Sequence, residues 1–530
     1  MSISAAIGRP EALERWRAII LAPMVGVLGV VSGMAAGQAA VGHPWLLAAP
    51  FVVLIPLIYW KWTYVAPLSL VAAGLLVEEW TYSIGARSGP FTDRLPLFRT
   101  PVHATIMLPI EAVMIVALIV WVMRAALRRS ITIPRTSLSL ALLLFWGLLV
   151  AGVGVGLAHG GKLNFALWEI RPWLLLSVAY LLAAALLTSR RLLMGLLWVI
   201  VCSTGFKGIE GSYIFFTYSR HLDPRPEAIL GHEESVFFGL FIVLTLGLWL
   251  FGIRGRLRTT ASVLLPFVVI ADLANSRRTA SGILIAALLV LLIMAWFGVP
   301  DRRRLVGALL CVAAIGAAVY FPLYWNKGYG TISQPARAVR SQISPDPRDA
   351  ASNQYRGLED ANLILNIKMG GMLGTGFGRP IDYAIPLPDI SAYDPIIAYI
   401  PHNGLLWIWM RLGLQGEIMF WLLIGAAIMK ATSLVKSSER FLSMFGAIVV
   451  CAILAYVMQG YEDQGFASLR IAPVIGCLLG ALEAACRLGQ RAGSTTEDRG
   501  PGDAVQAGSD RSVPRRGRAL GTGPLLQGAQ

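Results

Sequence analysis

Two kinds of residue in this chain can do chemistry at a membrane surface: a histidine that opens an apolar run, and arginines placed just outside such runs. His402 stands in Pro401-His402-Asn403-Gly404, directly after the one long polar stretch and before an apolar segment that carries Gly413 and Gly416. An imidazole titrates near neutral pH and is the commonest general base. At a water–lipid boundary it can take a proton from a substrate that arrives in the membrane plane. The same pair can also serve only to start a helix, with Asn403 as its cap. Arg277 and Arg278 lie in Asn275-Ser276-Arg277-Arg278-Thr279, between two apolar runs. A guanidinium is always charged, and its planar fork fits phosphate oxygens in pairs. The doublet reads as an anion clamp, or else as a pair that snorkels to lipid phosphates. Arg356, in Asn353-Gln354-Tyr355-Arg356, supplies a third position, and Gly374-Thr375-Gly376-Phe377-Gly378 follows it. That run is not a dinucleotide fingerprint, because the spacing fails at Arg379 and no strand–helix unit surrounds it. It reads as a tight turn whose backbone can approach other groups closely.

Further polar residues sit near the ends of apolar runs: Trp168, Glu169, Arg171, Lys207, Glu210, Arg220, His221, Asp223, Arg225, His232, Glu233 and Glu234. Most read as structural pairs. Glu169, Arg171 and Arg220 join Tyr355 and Asn403 as candidates for holding a sugar. Glu111 falls inside an apolar run and needs a partner or water. No Asp-x-Asp, His-x-x-x-His or Cys-x-x-Cys pair occurs, so no metal site is predicted. No phosphate-binding loop for ATP is present, and no cofactor is expected.

The elements that must position these residues are membrane helices. Of 530 residues, 56% are hydrophobic and 14% charged, where soluble domains run near a quarter charged. Runs long enough to cross a ~30 Å hydrocarbon core fall at 18–41, 44–60, 62–79, 104–123, 136–158, 172–188, 192–213, 233–253, 259–274, 279–298, 304–322, 403–429, 441–459 and 468–487. The predicted fold is therefore an all-α polytopic transmembrane bundle of about 12–14 spans. The third and ninth runs are the shortest. The net charge of +15 does not point to nucleic acid. The basic residues fall in alternate loops, as the positive-inside rule expects, which places both termini in the cytoplasm and the Arg277–Arg278 doublet on the outer side against the rule. The five cysteines, Cys202, Cys311, Cys451, Cys477 and Cys486, lie within or at the ends of predicted spans, so no disulfide framework is implied. The N-terminal apolar run reads as an uncleaved first helix.

Four regions are expected: a transmembrane bundle over 1–322, a large outer loop over 323–402, C-terminal transmembrane helices over 403–487, and a disordered cytoplasmic tail over 488–530, rich in Gly, Pro, Ser, Asp and Arg. The loop keeps enough apolar and aromatic residues to fold against the bundle. Residues 354–370 read as an amphipathic helix through Leu358, Ala361, Leu365 and Ile367.

Taken in order, these motifs resemble the O-antigen ligase and polymerase superfamily of bacterial membrane glycosyltransferases. Ser276-Arg277 stands where the family has a Ser-Arg pair. Arg356 with Gly374-Thr375-Gly376-Phe377-Gly378 stands where it has a loop arginine before a glycine turn. His402-Asn403 with Leu406, Gly413 and Gly416 matches its His-Asn-x-x-Leu helix closed by Gly-x-x-Gly. The resemblance covers roughly 270–430. Two departures stand out: the arginine after Ser276 is doubled, so either Arg277 or Arg278 is the counterpart, and Arg411 occupies a place where the family often has an acidic residue. The resemblance implies a bacterial inner-membrane enzyme with a periplasmic loop. It would take a glycan from a polyprenyl diphosphate to a lipid or glycan acceptor, with membrane lipids around it and no metal or nucleotide. Arg277 or Arg278 with Arg356 would face the leaving diphosphate, and His402 would accept the proton of the incoming hydroxyl. Ligase and polymerase both remain open. From a different class, a transporter or flippase of lipid-linked sugars would need polar residues or helix breaks near midplane, and Glu111 is nearly alone there.

Overall fold

The computed structural model describes residues 49–497, apart from short stretches within 80–106, 129–135, 223–227, 328–329 and 391–395. Fifteen α-helices lie among the described residues: α1 (Ala49–Lys61), α2 (Val65–Leu76), α3 (Pro109–Leu127), α4 (Ser137–Ala158), α5 (Leu163–Leu186), α6 (Arg190–Thr217), α7 (His232–Leu250), α8 (Arg256–Ala274), α9 (Arg278–Gly298), α10 (Arg303–Tyr324), α11 (Gln334–Ile343), α12 (Pro347–Gly370), α13 (Gly404–Val435), α14 (Arg440–Glu462) and α15 (Ile471–Glu497). A hairpin of two-residue strands, Ser83–Ile84 against Arg87–Ser88, sits between α2 and α3.

Eleven of these helices, α3–α10 and α13–α15, are long and apolar enough to cross a membrane. The chain is a polytopic helical bundle, as its apolar runs predict. The expected first span at 18–41 and the tail beyond 497 lie outside the described residues. The run at 62–79 yields only the 12-residue α2, whereas the short run at 259–274 belongs to a full 19-residue helix. Helix α5 begins nine residues before the expected start, at Leu163, because its charged first turns are neutralised inside the protein. Helix α15 likewise continues to Glu497, past the expected end at 487.

The interior is built on α7, α14 and α15. About four-fifths of the span-forming stretch is buried in each, against 6% in α10. Helix α15 lies directly on α5 through Gly476 and Gly480. A Cβ there would come within 2.1 Å of the Leu176 carbonyl and 2.3 Å of the Tyr180 carbonyl. Small residues one turn apart let two backbones meet where lipid supplies no hydrophobic drive between helices. Buried charges are matched. Lys207 pairs with Glu78 and, at 2.6 Å, with Glu210. Arg470 pairs with Glu234 at 2.6 Å and with Glu233 at 3.7 Å. Removing either member of such a pair would strand a charge.

The stretch between α10 and α13 is folded. Asp346 caps α12 by accepting from the Asp349 backbone N–H at 2.9 Å. The helix thus starts at Pro347, seven residues before the expected amphipathic segment, and its buried face is polar rather than apolar: Asp349, Glu359, Asn362, Leu363 and Asn366. Asn362 and Asn366 act as backbone surrogates. Asn362 accepts from the Ile385 N–H at 2.8 Å and donates to its carbonyl at 2.9 Å. Asn366 does the same for Asp382 at 3.2 and 2.8 Å. Each amide thereby satisfies both backbone groups of one residue in an irregular segment.

Candidate active site

The turn between α8 and α9 is set by one buried amide. Asn275 accepts from the backbone N–H groups of Ile229 and Leu230 at 3.2 and 3.0 Å. It donates to the Gly231 carbonyl at 2.9 Å and to Ser235 Oγ at 3.0 Å. This fixes the first turn of α7, and with it His232, beside the Arg277–Arg278 doublet. Ser276 then adopts φ 48°, a left-handed conformation that costs a non-glycine residue energy and that clusters at functional sites. Its carbonyl accepts from Gln334 Nε2 of α11 at 2.7 Å.

A second such turn ends α14. Gln464 has φ 54° and donates its backbone N–H to the His402 carbonyl at 2.9 Å. The acidic pair Glu462 and Asp463 is thereby brought against the start of α13. Ser276 and Gln464 are the two non-glycine residues with positive φ among the described residues, and they flank the same space. That space is an open polar cavity of about 250 Å³, whose lining includes His232, Arg277, Arg278, Arg356, His402 and Asp463. All four residues assigned a catalytic role from sequence meet there.

Their surroundings differ. Arg278 is braced by α12: Nη1 lies 3.4 Å from Asp349 Oδ1 and 3.3 Å from Asn353 Oδ1, and Nη2 lies 3.2 Å from Ser352 Oγ. Asp349 also holds Arg337 at 2.7 Å. Arg356 pairs with Glu462 at 3.0 Å and reaches Asp463 at 4.0 Å. Among the described residues, Arg277, the N-cap of α9, has no such brace, and its buried Nε has no hydrogen-bond partner there.

His402 is held by Glu359, a residue that sequence reading did not single out. The fully buried carboxylate accepts from the His402 backbone N–H at 3.1 Å and from ring Nδ1 at 3.1 and 3.3 Å. A carboxylate only accepts, so Nδ1 carries the proton and Nε2 of the neutral ring is the free base. Burial disfavours the imidazolium. The hydrogen bond and charge of Glu359, with the charge of Asp463, outweigh burial and the opposing Arg356, and raise the His402 pKa above its usual 6.5. A second imidazole lies at the cavity: His232 Nδ1 is 2.5 Å from Asp463 Oδ2. Burial alone would raise Asp463, yet His232 and then Arg356 and His402 hold it well below the usual carboxylate range. Glu462 and Asp463 also escaped the sequence reading, although their place at the end of an apolar run was the available signal.

The residues assigned to sugar binding do not line the cavity. Tyr355 comes nearest, with its ring edge-on to His402 at 5.9 Å. Asn403 caps α13 by accepting from the Leu406 N–H at 3.2 Å, and its amide donates to Asp360 at 3.1 Å. Arg220 is exposed beside His221 and over the Phe216 ring. Arg171 is buried against Glu111 at 2.7 Å, which gives that carboxylate its partner. Glu169 is fully buried and pairs with Arg411 at 2.6 Å, while also accepting from Trp407 Nε1 and the Gly378 N–H. Arg411 goes on to donate to the carbonyls of Gly376, Arg379 and Tyr399. The departure at 411 is therefore an internal tie that grips the glycine turn. That turn is wedged between α4 and α13, where a Cβ on Gly376 would fall 2.1 Å from the Gly156 nitrogen. Close approach is what the glycines permit.

Residues 261–421, from within α8 to within α13, match the family model described as O-antigen ligase. Over this stretch, which contains Ser276, Arg277, Arg278, Arg356 and His402, the chain is similar to the O-antigen ligase and polymerase superfamily. By its helices it is a multi-pass membrane protein, and its likeness to that superfamily is confined to residues 261–421. No curated protein matches the chain.

Proposed function

We propose that the chain is an inverting membrane glycosyltransferase that moves a glycan from a polyprenyl-diphosphate donor to an acceptor hydroxyl on the periplasmic face. One observation carries this reading: an imidazole oriented by a carboxylate and a guanidinium that has no carboxylate partner among the described residues line one polar cavity at the ends of spans. In the proposed step the acceptor oxygen attacks the anomeric carbon and gives its proton to His402 Nε2. The bond from that carbon to the diphosphate oxygen breaks, and its electron pair leaves with the diphosphate. Arg277 meets the growing charge, with Arg278 and Arg356 beside it, an effect worth about 3 kcal/mol of barrier per well-placed donor. Of the doublet, Arg277 is the better fit, since Arg278 already answers to Asp349. Attack opposite the leaving group inverts the anomeric carbon.

Ligase and polymerase differ only in the acceptor. A flippase of lipid-linked sugars is disfavoured by the placement of buried charge: Glu233, Glu234 and Arg470 stand at the starts of α7 and α15, near the cavity end. The test is transfer by purified protein from a lipid-diphosphate glycan to a lipid-core or glycan acceptor, with and without chelator. His402→Ala should lower turnover by ~10²–10⁴-fold, with donor accumulating on the outer leaflet of cells. Donor trapped on the inner leaflet instead would establish the flippase reading.

A further inference from the structure

The end of α12 carries apolar side chains that none of the described residues covers. Met369, Met372 and Leu373 are 64%, 71% and 65% exposed. They lie on a fixed tip, since the turn that follows is bonded on two sides. Thr375 and Gly376 donate backbone N–H groups to the Met410 and Arg411 carbonyls at 2.8 and 3.0 Å, and Phe377 donates to Gly152 of α4 at 3.1 Å.

The height of this tip follows from α13. That helix breaks at Gly413, with φ 68° and ψ −171°, and the Met372 carbonyl lies directly over the break. The stretch 413–435 rises roughly 33 Å, enough by itself to cross a ~30 Å hydrocarbon core. Gly413 thus marks where the crossing part of α13 begins, and Met372 sits at that level. Below the break, Leu414, Ile418 and Leu422 point outward at successive turns, all exposed. On α4, Val150 and Leu157 are exposed beside the Gly152 contact. The apolar tip therefore continues the lipid-facing surface of two spans. Lys368, also exposed, precedes it.

We propose that Met369, Met372 and Leu373 form a wedge inserted among the acyl chains at the leaflet boundary, with Lys368 meeting lipid phosphate. Side chains of this kind enter the headgroup–acyl boundary by apolar area, and a neighbouring lysine stays with the anionic headgroups. The wedge ties α12, which carries Glu359 and Arg356, to the bilayer surface as well as to the bundle.

Cysteine labelling in unsealed membranes tests this without reference to activity. Met372→Cys and Leu373→Cys in the full chain are compared with Ser344→Cys, exposed on the polar segment before α12, and Ile418→Cys, on the lipid-facing side of α13, with unmodified protein as background. A charged maleimide should label positions 372 and 373 at least about ten-fold more slowly than 344, as it does 418. A bimane at 373 should be quenched by lipids that carry a nitroxide at a shallow acyl carbon. Labelling at the rate of position 344 overturns the wedge. So does protection without lipid quenching, which would mean that another protein surface, including a second copy of this chain, covers the tip.

Discussion

Glu359 receives both the backbone N–H and the ring Nδ1–H of His402, so a single carboxylate from α12 fixes where the imidazole stands and which nitrogen faces the cavity. The two residues are separated by the whole 371–401 segment, and their meeting depends on the glycine turn that returns the chain along α13.

The raised pKa of His402 predicts a pH profile. The ring must be neutral to accept a proton, so kcat/KM should fall as pH drops through a value above 6.5. Glu359→Gln removes the largest influence that raises this pKa and leaves Asp463 alone to oppose burial and Arg356, which lower it. The acid limb should move to lower pH, while the plateau falls at least about ten-fold because the base loses its orienting group. An unmoved limb in a pH–rate series would remove His402 from the base role.

Asp463 acts on the same ring through space. Asp463→Asn should shift the acid limb in the same direction as Glu359→Gln but by less, since no hydrogen bond to His402 is lost. Parallel pH–rate profiles of the two variants make the comparison.

The arginine doublet should separate into two phenotypes. Arg277→Ala is expected to lower kcat by on the order of 10²–10³ with an unchanged melting temperature in detergent. Arg278→Ala should lower the melting temperature, because Asp349 loses one of its two cations. Equal melting losses in both would contradict the assignment of Arg277 to the diphosphate.

Arg411→Ala should destabilise the fold by about 3–5 kcal/mol, the usual cost of stranding one member of a buried ion pair. Replacing both Glu169 and Arg411 by methionine should recover part of that loss in thermal unfolding, though not the three carbonyls that Arg411 satisfies.

The sequence made the bundle legible because lipid demands long apolar runs, and it made His402 and the arginines legible because charge at the mouth of such a run is conspicuous. It hid what supports them. The amphipathic pattern over 354–370 points to Leu358, Ala361, Leu365 and Ile367, yet Glu359, Asn362 and Asn366 between them are buried, since each finds backbone or imidazole partners farther along the chain. Glu169 and Arg171 stood out for the same reason as the arginines, and the fold uses them internally. A charge at a span end looks alike whether it faces a cavity or another helix, and only the pairing tells them apart.

The amide at position 275 couples two sides of the cavity. Its four hydrogen bonds join the turn before α9 to the Ile229–Gly231 approach and to Ser235 of α7, so the backbones that carry the imidazole at 232 and the guanidinium at 277 are fastened to each other at this one side chain. If the cavity binds a glycan, loosening that fastening, as in Asn275→Ala, should broaden the range of glycans accepted.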